Sequence, residues 1–434
     1  MSRNRRNKRS KSNKKNIKNI KNIKAFEETL ETKTFIKISL IFIAIIAVCI
    51  SVIMIKNHNN KIELARQREL LEQQIVAIFE DKSYEENNEE SIVKPDTIAN
   101  ISIVGDILCD DAMIADAKVD DTYNFSHMFE NINDIINNSD ITVGTMETNF
   151  TDDEFSDYGK CNSPKEFAKD VKNSGIDLVS IAHNHSLDYG VEGINQTKNY
   201  LTELGFTTVG TSTFEDEKRY VIKEIKGIKI AFLAYTYGFN NEKLLSDEEK
   251  KYVNIYNEEQ VKKDLENANA EAEFIFVIMH WGEVYSNNVS EEQSKIAQFL
   301  VENGTDTIVG AHPAVVEPME VVQNKEGENV FIAYSVGNYI SNLGYENSNL
   351  EMILDIQIRK NGETGKVTLE KVTYTPVYMV DNGTKADNRF ELVHMKETAK
   401  EYASGNTDII SEKLYKKLIK GLEKLEQIIR SKTN

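Results

Sequence analysis

Four of the seven histidines in this chain, His183, His185, His280 and His312, follow directly on short apolar runs. Such runs, bounded by polar loops, read as buried strands. Other donors stand at the same kind of place: Asp106 in VGDIL, Glu147 in GTMETNF and Asn184 in AHNHS. Carboxylate, amide and imidazole groups converging at strand ends make the mixed oxygen and nitrogen set that suits Mn, Fe, Zn or Mg. A lone histidine after a strand more often caps a helix or bonds to backbone. Loops of this kind on five strands point instead to a shared site. No G-x-S-x-G elbow supports a serine nucleophile, and Ser186 and Asp188, with Gly190 behind them, read as a structural helix-starting loop.

The elements that must position these groups are the runs ISIVGD, DITVGTME, DLVSIAHNHS, FIFVIMHWGE, TDTIVGAHP and VFIAYSVGN. Helix-like stretches such as GVEGINQTKNYLTELG and EEQSKIAQFLVENG lie between several of them, and that alternation implies an α/β sheet. VIKEIKGIKIAFLAY and LEMILDIQIRKNGETGKVTLEKVTY read instead as antiparallel hairpins turning at Gly227 and around Gly362 to Gly365. A mixed sheet covered by helices fits, with functional groups at the carboxyl ends of strands.

Outside this region the chain changes character. Residues 1–37 form a basic tail, and Ile38 to Ile55 then run 18 residues without a charge, the least that spans a hydrocarbon core as a helix. Lys and Arg crowd the N-terminal side, which puts the tail in the cytoplasm and everything after Lys56 outside. Residues 56–95 read as a juxtamembrane helix and linker, 96–382 as the main domain, and 383–434 as a helical extension with apolar residues from Ile409 to Ile429 at helical spacing. A cleaved signal peptide is the rival reading of the apolar run. The formal charge is −18 despite the basic tail, and an acidic body argues against nucleic acid as its partner. Only Cys109 and Cys161 lie in the body, too few for a disulfide scaffold.

The order VGDIL, METNFTD, AHNHSLDYG, HWGEVY, EEQSKIAQFLVENGTDTIVGAHPAVVEP and YSVGNYIS resembles the CapA-type family associated with poly-gamma-glutamate capsule synthesis, over roughly residues 100 to 345. That family is related to the calcineurin-like metallophosphoesterases. The resemblance therefore implies an αββα sandwich of two mixed sheets flanked by helices. It implies that Asp106, Glu147, Asn184, His280 and His312 hold a divalent metal, and that His185, with Asp106, takes the catalytic part. By the same likeness Tyr334, Ser335 and Asn338 contact an anionic substrate; Trp281, the only tryptophan and the residue after His280, either covers the site or fills the core.

Departures from the family pattern are as specific as the matches. Leu108 stands where a phosphoesterase has histidine, Ala314 replaces the last histidine of GAHPH, and His183 stands where the family has asparagine. Half of a dinuclear centre is therefore depleted, with Cys109 and Asp110 as possible substitutes. The expected function is that of a membrane-anchored envelope protein that helps to synthesise, export or anchor an anionic polymer such as poly-gamma-glutamate, beside other capsule synthase subunits. An exported metal-dependent phosphoesterase and a non-catalytic scaffold are the alternatives.

Overall fold

The computed structural model describes residues 94–156, 159–212 and 218–431. The basic tail, the apolar run 38–55 and the juxtamembrane helix lie outside the described residues. Among those described, no helix is long and apolar enough to cross a membrane.

In chain order the strands are β1 (Thr97–Ile107), β2 (Lys118–Val119), β3 (Thr122–Tyr123), β4 (Ile141–Met146), β5 (Leu178–Ser180), β6 (Thr207–Val209), β7 (Tyr220–Ile225) and β8 (Ile228–Thr236). There follow β9 (Phe274–His280), β10 (Thr307–Ala311), β11 (Met319–Gln323), β12 (Asn329–Ala333), β13 (Asn338–Ile340), β14 (Leu350–Lys360), β15 (Val367–Asp381) and β16 (Phe390–His394). The longer helices are α1 (Lys165–Asn173), α2 (Gly190–Glu203), α3 (Glu258–Glu271), α4 (Glu291–Glu302), α5 (Met395–Ala403) and α6 (Glu412–Ile429).

Two mixed sheets carry the fold. The larger runs β16-β15-β14-β1-β4-β5-β6, with β13 also pairing β1, and the smaller runs β11-β12-β10-β9-β8-β7. Strands β1, β4, β5 and β6 are mutually parallel, as are β8, β9, β10 and β12. The two expected hairpins form as β7–β8 and β14–β15.

Side-chain alternation shows how the layers stack. From β8 and β9, Ile228, Ile230, Phe232, Ala234, Phe274, Phe276 and Ile278 join Ile101, Ile103, Leu354 and Ile356 of the larger sheet in one core. The intervening Ala231, Leu233, Tyr235, Ile275, Val277 and Met279 join Val261 and Leu265 of α3 and Ile296 and Leu300 of α4 in a second core. The smaller sheet is therefore sandwiched between the larger sheet and a helical layer. The larger sheet also takes in residues beyond 382, because β16 pairs with β15 from Asp381↔Phe390 to Val377↔His394. The terminal helix begins at Glu412 behind its cap Ser411, which leaves Ile409 exposed and off the helix's apolar face.

One close approach fixes the start of the site. The N-terminal half of β1 pairs with β14, and its last turn pairs instead with β13, in the register Asp106↔Asn338. A Cβ on Gly105 would lie 1.9 Å from the Gly337 carbonyl oxygen, so only glycine lets the Asp106 amide donate to that oxygen at 3.1 Å.

Candidate metal centre

The parallel strands of both sheets end at one place. Asp106 comes from β1, Glu147 follows β4, His183, Asn184 and His185 follow β5, His280 closes β9 and His312 follows β10. Among the described residues, Glu147, His280 and His312 bring one ligand atom each within 4.8 Å of one another. Asp106 joins them, its Oδ1 3.8 Å from Nδ1 of His280, and Asn184 reaches the same ring.

The bonds leave specific atoms free. His280 Nε2 lies 2.7 Å from Asn184 Oδ1, which calls for the proton on Nε2 and leaves Nδ1 a bare lone pair. Glu147 Oε1 is 3.5 Å from the same Nε2. Asp106 Oδ2 accepts the His312 amide at 2.8 Å. Asp106 Oδ1, His280 Nδ1 and His312 Nδ1 are buried with no hydrogen-bond partner, whereas His183 accepts the His185 amide at Nδ1, which puts its proton on Nε2. Buried polar atoms are normally paired. Orphaned acceptors gathered in one pocket therefore fit a cation.

His312 is held there at a conformational cost. Its φ is +96°, a region non-glycine residues avoid, and strain of this kind costs on the order of 1–3 kcal/mol. The bond from its amide to Asp106 ties the strained turn to β1.

Electrostatics favour the same reading. Burial, then the charge of Glu147, holds Asp106 well above the usual carboxylate range despite the His312 amide. Burial also pushes Glu147 up to about 7, with His185 opposing and Asp188 adding to the shift. Burial depresses His183, His280 and His312, so each imidazole is neutral, as a metal ligand must be.

His185 is the opposite case. Its Nδ1 lies 2.6 Å from Asp188 Oδ2, and the Asn240 amide nitrogen lies 3.1 Å from Nε2. Burial works against its charge, but the bond to Asp188, backed by the Cys161 thiol, pushes it up to about 11. Asn149 fixes the loop by donating to the carbonyls of His185 and Cys161. The cluster thus has a floor and a rim. Asp106 and His280 are inaccessible, while Glu147, His185 and His312 touch solvent at 6–7% exposure. Exposed Tyr237 packs its ring 4.9 Å from that of His312.

Other expected residues go elsewhere. Trp281 and Tyr334 belong to the core beneath α3 and α4, where the indole N–H donates to the Tyr334 carbonyl at 2.8 Å. The Tyr334 hydroxyl donates to Glu320 at 2.6 Å. Trp281 therefore fills the core and does not cover the site. Ser335 donates to the Val315 carbonyl, and Asn338 to those of Ala314 and Ser348, so both close turns that support the site. Asp110 caps a short helix through the Met113 amide, which makes it a structural group. Leu108 and Ala314 are buried and offer no donor.

Asn240, Asn149 and Tyr237 escaped the sequence reading, and Asp188 entered it only as a structural residue of a helix-starting loop. Only the H-x-x-D spacing of His185 and Asp188 gave a signal, and it resembled an ordinary helix start.

Comparison with known proteins bears on the same region. The sequence model of the family described as bacterial capsule synthesis protein PGA_cap matches residues 100–343, which contain every residue of the cluster. A capsule biosynthesis protein CapA from Bacillus anthracis is 27% identical over 272 residues, 60% of this chain and 64% of that protein. The chain thus spans less than two thirds of that relative. The PGA biosynthesis protein CapA of Bacillus subtilis is 26% identical over 300 residues, 65% of this chain and 74% of that protein. Among solved structures, the calcineurin-like phosphoesterase YfkN from Bacillus subtilis aligns over 65% of this chain and 91% of its own, with 13% identity and a TM-score of 0.40. The Haemophilus influenzae NAD nucleotidase aligns over 76% and 63%, with 12% identity and a TM-score of 0.44.

Proposed function

The chain belongs to the bacterial capsule synthesis protein PGA_cap family, and on that premise we propose that it takes part in making, exporting or anchoring an anionic extracellular polymer such as poly-gamma-glutamate, through a cation-holding cleft. The observation that carries this reading is the buried cluster of Glu147, His280 and His312 beside the unpartnered Asp106 Oδ1, inside the matched region. Asp106, Glu147, Asn184, His280 and His312 would hold the divalent cation. Such an ion supplies Lewis acidity toward a carboxylate, phosphoryl or amide oxygen.

The chain's own groups do the rest. His185, oriented by Asp188, faces the rim and gives the cleft a group able to carry a proton or steady a developing negative charge. Narrow exposure keeps the floor dry, which strengthens each of these interactions. Leu108 and Ala314 supply no second ligand half, which favours a single cation over a dinuclear phosphoesterase centre. The uncharged run 38–55 supports anchoring in the cell membrane with the main domain outside, next to other synthase subunits.

The test is polymer output from cells carrying His280→Ala or His312→Ala, with elemental analysis of each purified chain. Loss of both cation and polymer supports the reading. Full polymer from a cation-free variant removes it and leaves a scaffold.

A further inference from the structure

We propose that the lysine face of α6 is a docking surface for a linear polycarboxylate chain, separate from the cation cleft; this rests on the polymer reading above. Helix α6 is clamped to the body by Leu418, Leu425 and Ile428, all buried. At Gly421 a Cβ would lie 2.6 Å from Leu350 Cδ2 and 2.8 Å from Met395 Cε, so the helix sits hard against its support. The opposite face is therefore fixed outward.

That face is basic in an acidic chain. Lys413, Lys416, Lys417 and Lys420, with Glu412, surround a shallow, solvent-open depression of about 440 Å³ on this one helix face. All four lysines are exposed, and so is Lys424 one turn further on. Lys416 is tied to Glu412 at 2.8 Å, and Lys417 exerts a weak pull on Asp381. Among the described residues, Lys413 and Lys420 have no carboxylate partner. Residues 413, 417, 420 and 424 fall one turn apart, so their ammonium groups form a stripe about 16 Å long. A polymer bearing a carboxylate on every repeat can meet several of them at once, which a single small anion cannot.

An anionic membrane is the other polyanion of the envelope. A helix that lies on a membrane offers apolar side chains beside its lysines. Here the apolar side chains Leu414, Leu418, Leu422, Leu425 and Ile428 of α6 are already used against the body, which leaves the lysines no apolar stripe to insert among lipids. The surface fits a strand better than a sheet of headgroups.

The experiment uses the full chain in non-ionic detergent and poly-gamma-glutamate of fixed length as the probe. One variant carries Lys413→Gln, Lys416→Gln, Lys417→Gln and Lys420→Gln. A charge-matched control carries Lys243→Gln, Lys262→Gln, Lys263→Gln and Lys295→Gln, all at exposed positions elsewhere. The α6 variant should bind roughly tenfold more weakly or worse, the control should bind like the wild type, and added salt should weaken wild-type binding. His280→Ala should bind the polymer as the wild type does. Equal binding by both lysine variants overturns the proposal and leaves the cleft reading intact. So does lysine-dependent binding to vesicles of phosphatidylcholine and phosphatidylglycerol without binding to the polymer. Absence of polymer binding by the wild type, together with normal polymer from cells lacking the chain, removes both readings.

Discussion

Stripping divalent cations from the full chain should lower its thermal midpoint by an amount the site's geometry predicts. Asp106 Oδ1, His280 Nδ1 and His312 Nδ1 are buried and unpaired without a ligand. Each such group costs about 1–3 kcal/mol, so three cost about 3–9 kcal/mol that a cation recovers. In a domain of this size a kcal/mol moves the midpoint by about 2 °C, which gives a rise of roughly 6–18 °C on loading. The assay is scanning calorimetry after chelation and dialysis, then with Mn or Zn restored, beside elemental analysis. His312→Gly is the informative variant. It should lose the cation-dependent rise, while relief of the +96° φ offsets the lost ring packing and keeps its cation-free midpoint near that of wild type. Identical midpoints with and without cation in the wild type, with no metal retained, would refute the reasoning.

Three further outcomes follow from named contacts. Glu351 is buried with both carboxylate oxygens unpartnered, and burial holds it well above the ordinary 4.5, so the native state keeps its proton while the unfolded chain loses it. Stability should therefore fall as pH rises above 4.5, by up to about 1.4 kcal/mol per unit until the native group ionises. Glu351→Gln should remove that slope, matching wild type near pH 4 and exceeding it at neutral pH in urea titrations; parallel curves would contradict this. Asp188→Asn takes away the partner that holds His185 up to about 11, so NMR titration should find the ring falling toward the ordinary imidazole range, and an unmoved titration would show that Asp188 is not the cause. Gly310→Ala would put a Cβ 1.7 Å from the Tyr334 carbonyl oxygen and 2.4 Å from Trp281 Nε1, costing more than the ~1–3 kcal/mol of ordinary overpacking, and a variant of native protease resistance would contradict that geometry.

What the sequence disclosed depended on how far periodicity reached. Short apolar runs ending in polar loops located the strands that end at the site, and Lys226-Gly227 located a hairpin. Strand alternation also decides Trp281. Phe274, Phe276, Ile278 and His280 share one face of β9, so the next residue must face the helical side. Reading Trp281 from its nearness to His280 in the chain missed that constraint. Asn240 was hidden for a different reason: it acts on His185 from a separate loop, and nothing in local spacing reports a contact 55 residues apart, whereas Asp188, three residues on, was in view as part of a helix-starting loop. Strand β16 was hidden because FELVH is short and stands beside charged, loop-like sequence.

The pairing of β1 first with β14 and then with β13 has a consequence for timing. Asp106 receives its amide donor from His312, 206 positions later, and its strand neighbour is Asn338. A chain emerging from its N-terminal end therefore displays the aspartate long before anything can enclose it. Contacts of such long range form late and slowly. Until the segment through Ile340 has emerged, the chain can carry the proposed ligands in order along its length and still have no enclosure that brings them together.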